Sequence, residues 1–292
     1  MRPKGLIRLL LTGCLLLLLS GCTFGATVDA LLTPPHLRGE QEQIYQALEN
    51  AVGNRITLQY PRSGDHLSAV MISDLDGDGQ DEAAVFYRKE SSLSTENALR
   101  LNLLDQADGT WMSVCDLPAE GAEVDRGFTS DIGGRQRLII GYSQVDQSDK
   151  ALVVYNYEGG TLAKSFTVSY SSFDVADLDG DDQAELLILK AAEGEHAAEA
   201  AVYVPDEQDH YTRYSLTLQG KTTEYSQVLC GNTQGKQTAI YLDGIVGATT
   251  MQTEVLQFDG KKLSYLVPTG SDAVSTIRPT GWLTMDIDQD DI

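Results

Sequence analysis

The chain has 292 residues and carries 43 acidic against 21 basic side chains, a formal charge of −22. So acidic a surface repels phosphate backbones and excludes a nucleic-acid factor. With 22% charged and 42% hydrophobic residues the composition is that of a folded globular protein, neither disordered nor a coiled coil, and a body of about 250 residues fits one all-β domain or two smaller ones.

Arg2, Lys4 and Arg8 precede Leu9 to Leu19, an apolar stretch interrupted by Thr12, Gly13 and Cys14. The run is shorter than the ~20 residues needed to span a bilayer and reads as a secretory h-region. It leads into Leu19, Ser20, Gly21 and Cys22, which resembles the lipobox of bacterial lipoproteins. The resemblance implies a signal peptide over residues 1–21, diacylation of Cys22 and a mature protein held by lipid. That protein would sit outside the cytoplasmic membrane, or on the outer membrane of a cell that has one. Two acyl chains make such anchoring durable where one would be marginal. An ordinary signal peptide followed by a chance Cys is the alternative. Cys115 and Cys230 then remain in the folded body, 115 residues apart in separate repeat units. They read as buried free thiols, with a disulfide as the other option in an exported protein.

Residues 22–38 form the lipidated Cys and a tether, broken by Pro34 and Pro35. Residues 39–53 read as a helix: Ile44, Leu48 and Val52 recur on one face and Gly53 stops it. From Arg55 onward no second helical pattern of that quality follows. Short apolar or alternating runs such as Leu67–Ile72, Ala83–Tyr87, Leu99–Leu104 and Leu138–Tyr142 are separated by Gly, Asp and Asn turns. Asp108-Gly109, Gly159-Gly160 and Asp259-Gly260 supply the positive φ of tight hairpins.

Internal repeats organise residues 55–292. Asp74, Asp76, Asp78, Gln80 and Glu82 recur as Asp177, Asp179, Asp181, Gln183 and Glu185, and the pattern begins again at Asp286, Asp288 and Asp290. The three starts are 103 and 109 residues apart. Degenerate copies lie between them, at Asp131–Arg137 and Gly231–Gln237. The apolar runs therefore begin near 83, 138, 186 and 238. A unit of ~50 residues with four short strands is the mark of a propeller blade, which cannot bury both faces without neighbours. The expected fold is all-β, a β-propeller of four-stranded blades preceded by a short N-terminal helix.

These motifs resemble the FG-GAP and VCBS-type repeats of integrin alpha-subunit propellers and bacterial surface proteins. The whole arrangement resembles bacterial VCBS repeat-containing lipoproteins. Alternate units have lost the acidic loop, and the third copy has no residue at the place of Glu82 and Glu185. Rings of this kind usually have seven blades, so the five loop positions imply an incomplete ring with its C-terminal repeat cut short.

A hard cation such as Ca²⁺ takes six to eight oxygens, and alternating side chains on a tightly curled loop converge on one point. Interleaved glycines permit the curl. The expected ligands are the side chains of Asp74, Asp76, Asp78 and Glu82 with the carbonyl of Gln80. The second set is Asp177, Asp179, Asp181 and Glu185 with the carbonyl of Gln183, and Asp286, Asp288 and Asp290 begin a third. Unneutralised carboxylates so close together would repel, which favours structural Ca²⁺ over a set of solvated turns. The second loop has Asp182 where the first has Gly79, and Asp tolerates left-handed geometry better than most residues.

No nucleophile elbow, zinc-protease helix, phosphate loop or Cys-x-x-Cys pair is present. His36, His66, His196 and His210 read as surface or turn residues, and Trp111 and Trp282 as packing between blades. The leading expectation is a lipid-anchored, calcium-stabilised binding module at the cell surface, without enzymatic activity, facing a protein or polysaccharide partner. The alternatives are a propeller-based polysaccharide lyase or hydrolase and a purely structural envelope component.

Overall fold

The computed structural model of the chain describes residues 39–89, 99–144, 150–232, 238–267 and 277–284. Helix α1 (Glu40–Val52) falls where the apolar spacing places it, with Ile44 and Leu48 buried. Gly53 closes it at a φ of 95°, its N–H donating to the Glu49 carbonyl at 2.8 Å. A Cβ is costly at such a φ. The substitution Gly53→Ala is expected to destabilise by about 1 kcal/mol, read as a lower urea midpoint at unchanged slope.

The rest of the described chain is strand and turn, in four antiparallel sheets formed in chain order. Sheet 1 holds β1 (Ile56–Leu58), β2 (Val70–Ser73), β3 (Glu82–Lys89), β4 (Leu99–Ala107) and β5 (Thr110–Pro118). Here β1 and β2 share one edge of β3, Ile56 facing Lys89 and Val70 facing Val85. Sheet 2 holds β6 (Glu123–Asp131), β7 (Gln136–Ser143), β8 (Lys150–Glu158) and β9 (Thr161–Ser169). Sheet 3 holds β10 (Ser172–Ala176), β11 (Glu185–Lys190), β12 (Glu199–Pro205) and β13 (Tyr211–Thr217). Sheet 4 holds β14 (Glu224–Asn232), β15 (Thr238–Ile245), β16 (Thr250–Phe258) and β17 (Leu263–Val267), with β18 (Arg278–Pro279) on the start of β16. No closed ring is seen among the described residues.

Strand alternation explains how the sheets hold together. In β3, Ala84 and Phe86 face sheet 2, where Leu138, Ile140 and Tyr142 meet them. Val85 and Tyr87 point the other way, into a cluster with Ile44 and Leu48 of α1. In β7, Ile139 turns from sheet 1 toward Phe173, Leu186 and Ile188 of sheet 3. In β11, Leu187 and Leu189 meet Ile240, Leu242 and Leu256 of sheet 4. Strands β3, β7 and β11 are thus apolar on both faces, which is why they read as unbroken hydrophobic runs rather than alternating ones.

Two tryptophan expectations are corrected. Trp111 packs in the cluster on the α1 side of sheet 1, because it faces away from sheet 2. Trp282 is 68% exposed. Cys115 and Cys230 are free thiols, each packed at the margin of a core cluster. Burial pushes the Cys230 thiol up to about 12, so it stays protonated and unreactive.

Candidate metal centres

Both described acidic loops join the first strand of a sheet to its second, β2 to β3 and β10 to β11. In the first, Asp74 pins the curl. Its Oδ1 accepts the Gly77 N–H at 2.7 Å and its Oδ2 the Gly79 N–H at 3.0 Å. Asp78 Oδ1 accepts the Gln80 N–H at 2.7 Å. Gly77 and Gly79 stand at φ of 78° and 85°. The second loop repeats this bonding: Asp177 takes the N–H groups of Gly180 at 2.7 Å and of Asp182 at 3.0 Å. Asp181 Oδ1 takes that of Gln183 at 2.9 Å. Asp182, in the place of Gly79, adopts a φ of 67°, the left-handed geometry expected of it.

One set of carboxylate oxygens, from Asp74, Asp76 and Asp78, lies within 4.8 Å of one another; a second set comes from Asp177, Asp179 and Glu185. Glu82 stands outside the first group and Asp181 outside the second. Both glutamates close their loops from below: Glu82 Oε2 accepts the Leu75 N–H at 2.6 Å and Glu185 Oε2 the Leu178 N–H at 2.8 Å. Glu82 is 1% exposed, and its Oε1 is buried with no hydrogen-bond partner. Asp179 Oδ1 is in the same condition. Asp286, Asp288 and Asp290, like Cys22, lie outside the described residues.

Among the described residues no ion pair reaches these loop carboxylates, although Arg135 lines the cleft beside Asp74 and Asp76. Burial first, against the Leu75 N–H that opposes it, pushes Glu82 up to about 7, and Asp76, Asp105 and Asp74 push the same way. Glu185 rises to about 7 for matching reasons, burial first, then opposed by the Leu178 N–H and raised by Asp179, Asp181 and Asp177. Burial is also the main cause that raises Asp76 and Asp179. A buried carboxylate oxygen without a donor is expensive unless a cation meets it. Oxygen-only donors on a curled loop suit Ca²⁺ better than the strict octahedron of Mg²⁺. The carboxylates gathered in each loop could therefore hold a metal ion.

Asp105 on β4 belongs to the first site's surroundings although its sequence context gives no sign of it. It takes the Tyr157 hydroxyl at 2.7 Å across the junction with sheet 2. A cleft of about 300 Å³ beside the loop is lined by Asp74, Asp76, Gln136, Asn156 and Tyr157. A second, larger cleft of about 790 Å³ opens between sheets 2 and 3 at the other strand ends, with Lys150, Tyr170, Lys190, Glu193, His196 and Thr217 among its walls.

No protein-family model and no curated protein sequence matches the chain. Solved structures similar to it include the exotype rhamnogalacturonan lyase YesX, at 14% identity and a TM-score of 0.35, over 74% of this chain and 57% of that one. A Bacillus licheniformis rhamnogalacturonan lyase matches at 15% identity and a TM-score of 0.35, over 73% and 49% of the two chains. An exo-beta-1,3-galactanase from Phanerochaete chrysosporium matches at 10% and 0.33, over 74% and 55%. The chain spans about half the length of these proteins.

Proposed function

We propose that this chain is a lipid-anchored, calcium-stabilised module with propeller-type packing, exported through its N-terminal signal and tethered at Cys22. It presents loops at the cell surface to a protein or polysaccharide partner. The observation that carries the calcium reading is the buried, donorless oxygen of Glu82 in one loop and of Asp179 in the other. In each case the oxygen belongs to a carboxylate whose neighbours are themselves acids. The blade reading is supported by four successive antiparallel sheets, each packed face to face on the next. The cleft between sheets 2 and 3 favours a binding role over a purely structural one, since it offers polar groups of both signs.

The test is thermal unfolding in EDTA and in calcium, beside the variant carrying Asp76→Ala and Asp179→Ala. Calcium at tenfold excess over its dissociation constant is expected to stabilise by about 1.4 kcal/mol per site. The double variant should lose that gain. A wild-type melting temperature indifferent to calcium would sink the proposal.

A second reading, a polysaccharide lyase or hydrolase, draws on Asp174. This carboxylate lies outside the acidic loops, and burial raises it against the pull of Arg126. It borders a cleft of about 350 Å³ with Asp65, His66 and Arg126. Polysaccharide cleavage that Asp174→Asn abolishes at an unchanged melting temperature would establish that reading.

A further inference from the structure

Sheet 2 has a loop at the same place as the acidic ones that keeps only the first of their carboxylates, Asp131. Register fixes the correspondence. Glu82 faces Ser73, Glu185 faces Ala176 and Arg137 faces Ser130, in each case the residue just before the first Asp of the repeat; in sheet 2 that Asp131 is itself paired, with Gln136. Where sheets 1 and 3 bury a glutamate, sheet 2 buries Arg137, 1% exposed. The polarity of the local backbone bond is reversed to match. The glutamates accept the N–H of Leu75 and Leu178. Arg137 Nε instead donates to the carbonyl of Ile132, the residue in the same loop position, at 2.8 Å. Leu75, Ile132 and Leu178 are all buried.

Of the other two guanidinium nitrogens, one stays within sheet 2 and one crosses the junction to sheet 3. Nη1 donates to Asn156 Oδ1 at 2.7 Å and Nη2 to Asp209 Oδ1 at 2.6 Å, while Asn156 Nδ2 donates to Asp209 Oδ2 at 2.5 Å. Asp209 sits at a φ of 64° in the turn between β12 and β13 of sheet 3. Acidic loops meet the next sheet in the same way. Residues at the end of β8 share a cleft with Asp74 and Asp76. Gly260, in the turn between β16 and β17, lies so close to Asp179 that a Cβ there would stand 2.7 Å from Oδ2. At the middle junction Ile132 also bridges directly to Ala184, beside Glu185.

We propose that Arg137 is a built-in counterpart of the cation, fastening sheet 2 to sheet 3 through Asp209 without metal. Calcium withdrawal then loosens the junctions on either side and leaves the middle one closed. The contrast between junctions rests on the calcium reading above; the Arg137 fastening itself does not. A planar fork suits this task, because it can serve a carbonyl, an amide and a carboxylate at once.

The experiment compares the full-length wild type with Arg137→Met and Arg137→Lys, each melted in EDTA and in calcium. Arg137→Met is expected to lower the melting temperature by about 10 °C, equally in both conditions, since it strands a partly buried carboxylate. Arg137→Lys should recover less than half of that loss, because an ammonium has no fork. A loss that calcium reverses, or no loss at all, overturns the proposal. Hydrogen exchange on the wild type needs no variant to fold. Amides of residues 74–82 and 177–185 should lose protection in EDTA while those of 132–137 keep theirs. Loss of protection at 132–137 equal to that of the acidic loops would overturn the metal-free junction. A wild type that ignores calcium throughout defeats the calcium reading, while the Arg137 fastening is judged on the calcium-independent loss in Arg137→Met.

Discussion

Replacing Asp243 with Ala is expected to cost about 3–5 kcal/mol, because it leaves a cation without its partner in a sheltered site. Asp243 lies on the face of β15 turned away from sheet 3 and is 1% exposed. Its Oδ1 accepts from Thr253 Oγ1 at 2.6 Å, Arg278 Nη2 at 2.7 Å and Thr284 Oγ1 at 2.9 Å. Its Oδ2 accepts the Thr284 N–H at 2.6 Å. Residues 278 and 284 thereby strap the end of the described chain across sheet 4, with Arg278 also donating to Thr253 Oγ1 at 2.5 Å. Burial alone would raise the Asp243 pKa, but the donors from Thr253, Thr284 and Arg278 outweigh it and hold the carboxyl below its ordinary value. The sign follows from linkage. A folded-state pKa below the unfolded value of about 3.9 gives a contribution that is complete above that pH and lost as pH falls through the folded value. Urea midpoints from pH 7 down to acid should therefore converge for wild type and variant. Parallel curves that never approach each other would show that the carboxylate is not the group responsible. Hydrogen exchange gives an independent check, since freeing the strap should release the Thr280 amide from the Thr249 carbonyl.

The features legible in the sequence are those whose physics is local. Runs such as Ala83–Tyr87 and Leu138–Tyr142 announce the second strands because both faces of each are buried. The Asp-Gly and Gly-Gly turns that end β4 and β8 are forced by positive φ at Asp108, Gly109, Gly159 and Gly160. The acidic loops could be read because three alternating carboxylates have no other good reason to share one curl. What remained hidden depends on which sheet comes next. Asp105 and Tyr157 reach the first loop from strands that no spacing connects to it. Arg137 reads in the sequence only as the end of a decayed repeat, and its role appears once Asp209 arrives from sheet 3. Asp243 would be an ordinary outward-facing strand residue without the strap that covers it. Bulges at Leu103/Leu104, Val154/Tyr155 and Val255/Leu256 recur at matching places in sheets 1, 2 and 4, yet no glycine or turn signal marks them.

Truncating Phe173 to Ala is expected to cost about 3–5 kcal/mol, as for a large aromatic side chain removed from a core that cannot collapse around the gap. The ring sits at the junction of sheets 2 and 3. It meets Tyr170 edge-on, with centroids 4.8 Å apart at 84°, and stacks at 6.0 Å on Phe128. Arg126 lies over both phenylalanine rings, 5.0 Å from Phe128 and 5.1 Å from Phe173, and its Nη1 donates to the Phe173 carbonyl at 3.0 Å. Nη2 of the same arginine pairs with Asp174 at 3.5 Å, and its buried Nε has no hydrogen-bond partner, so the aromatic faces add to what the carboxylate supplies. The neighbours cannot close in to fill the space. Gly141 already admits Tyr170 and Phe173 so closely that a Cβ on it would meet the Tyr170 hydroxyl at 2.2 Å and Phe173 at 3.0 Å. Urea unfolding with an unchanged slope would mean that the four sheets still unfold as one unit and the loss is a cavity cost. A smaller slope with a second transition would mean something more specific. Sheets 1 and 2 would then have parted from sheets 3 and 4, with the aromatic junction carrying their cooperativity and the Arg137 contacts too weak to hold the two halves together alone.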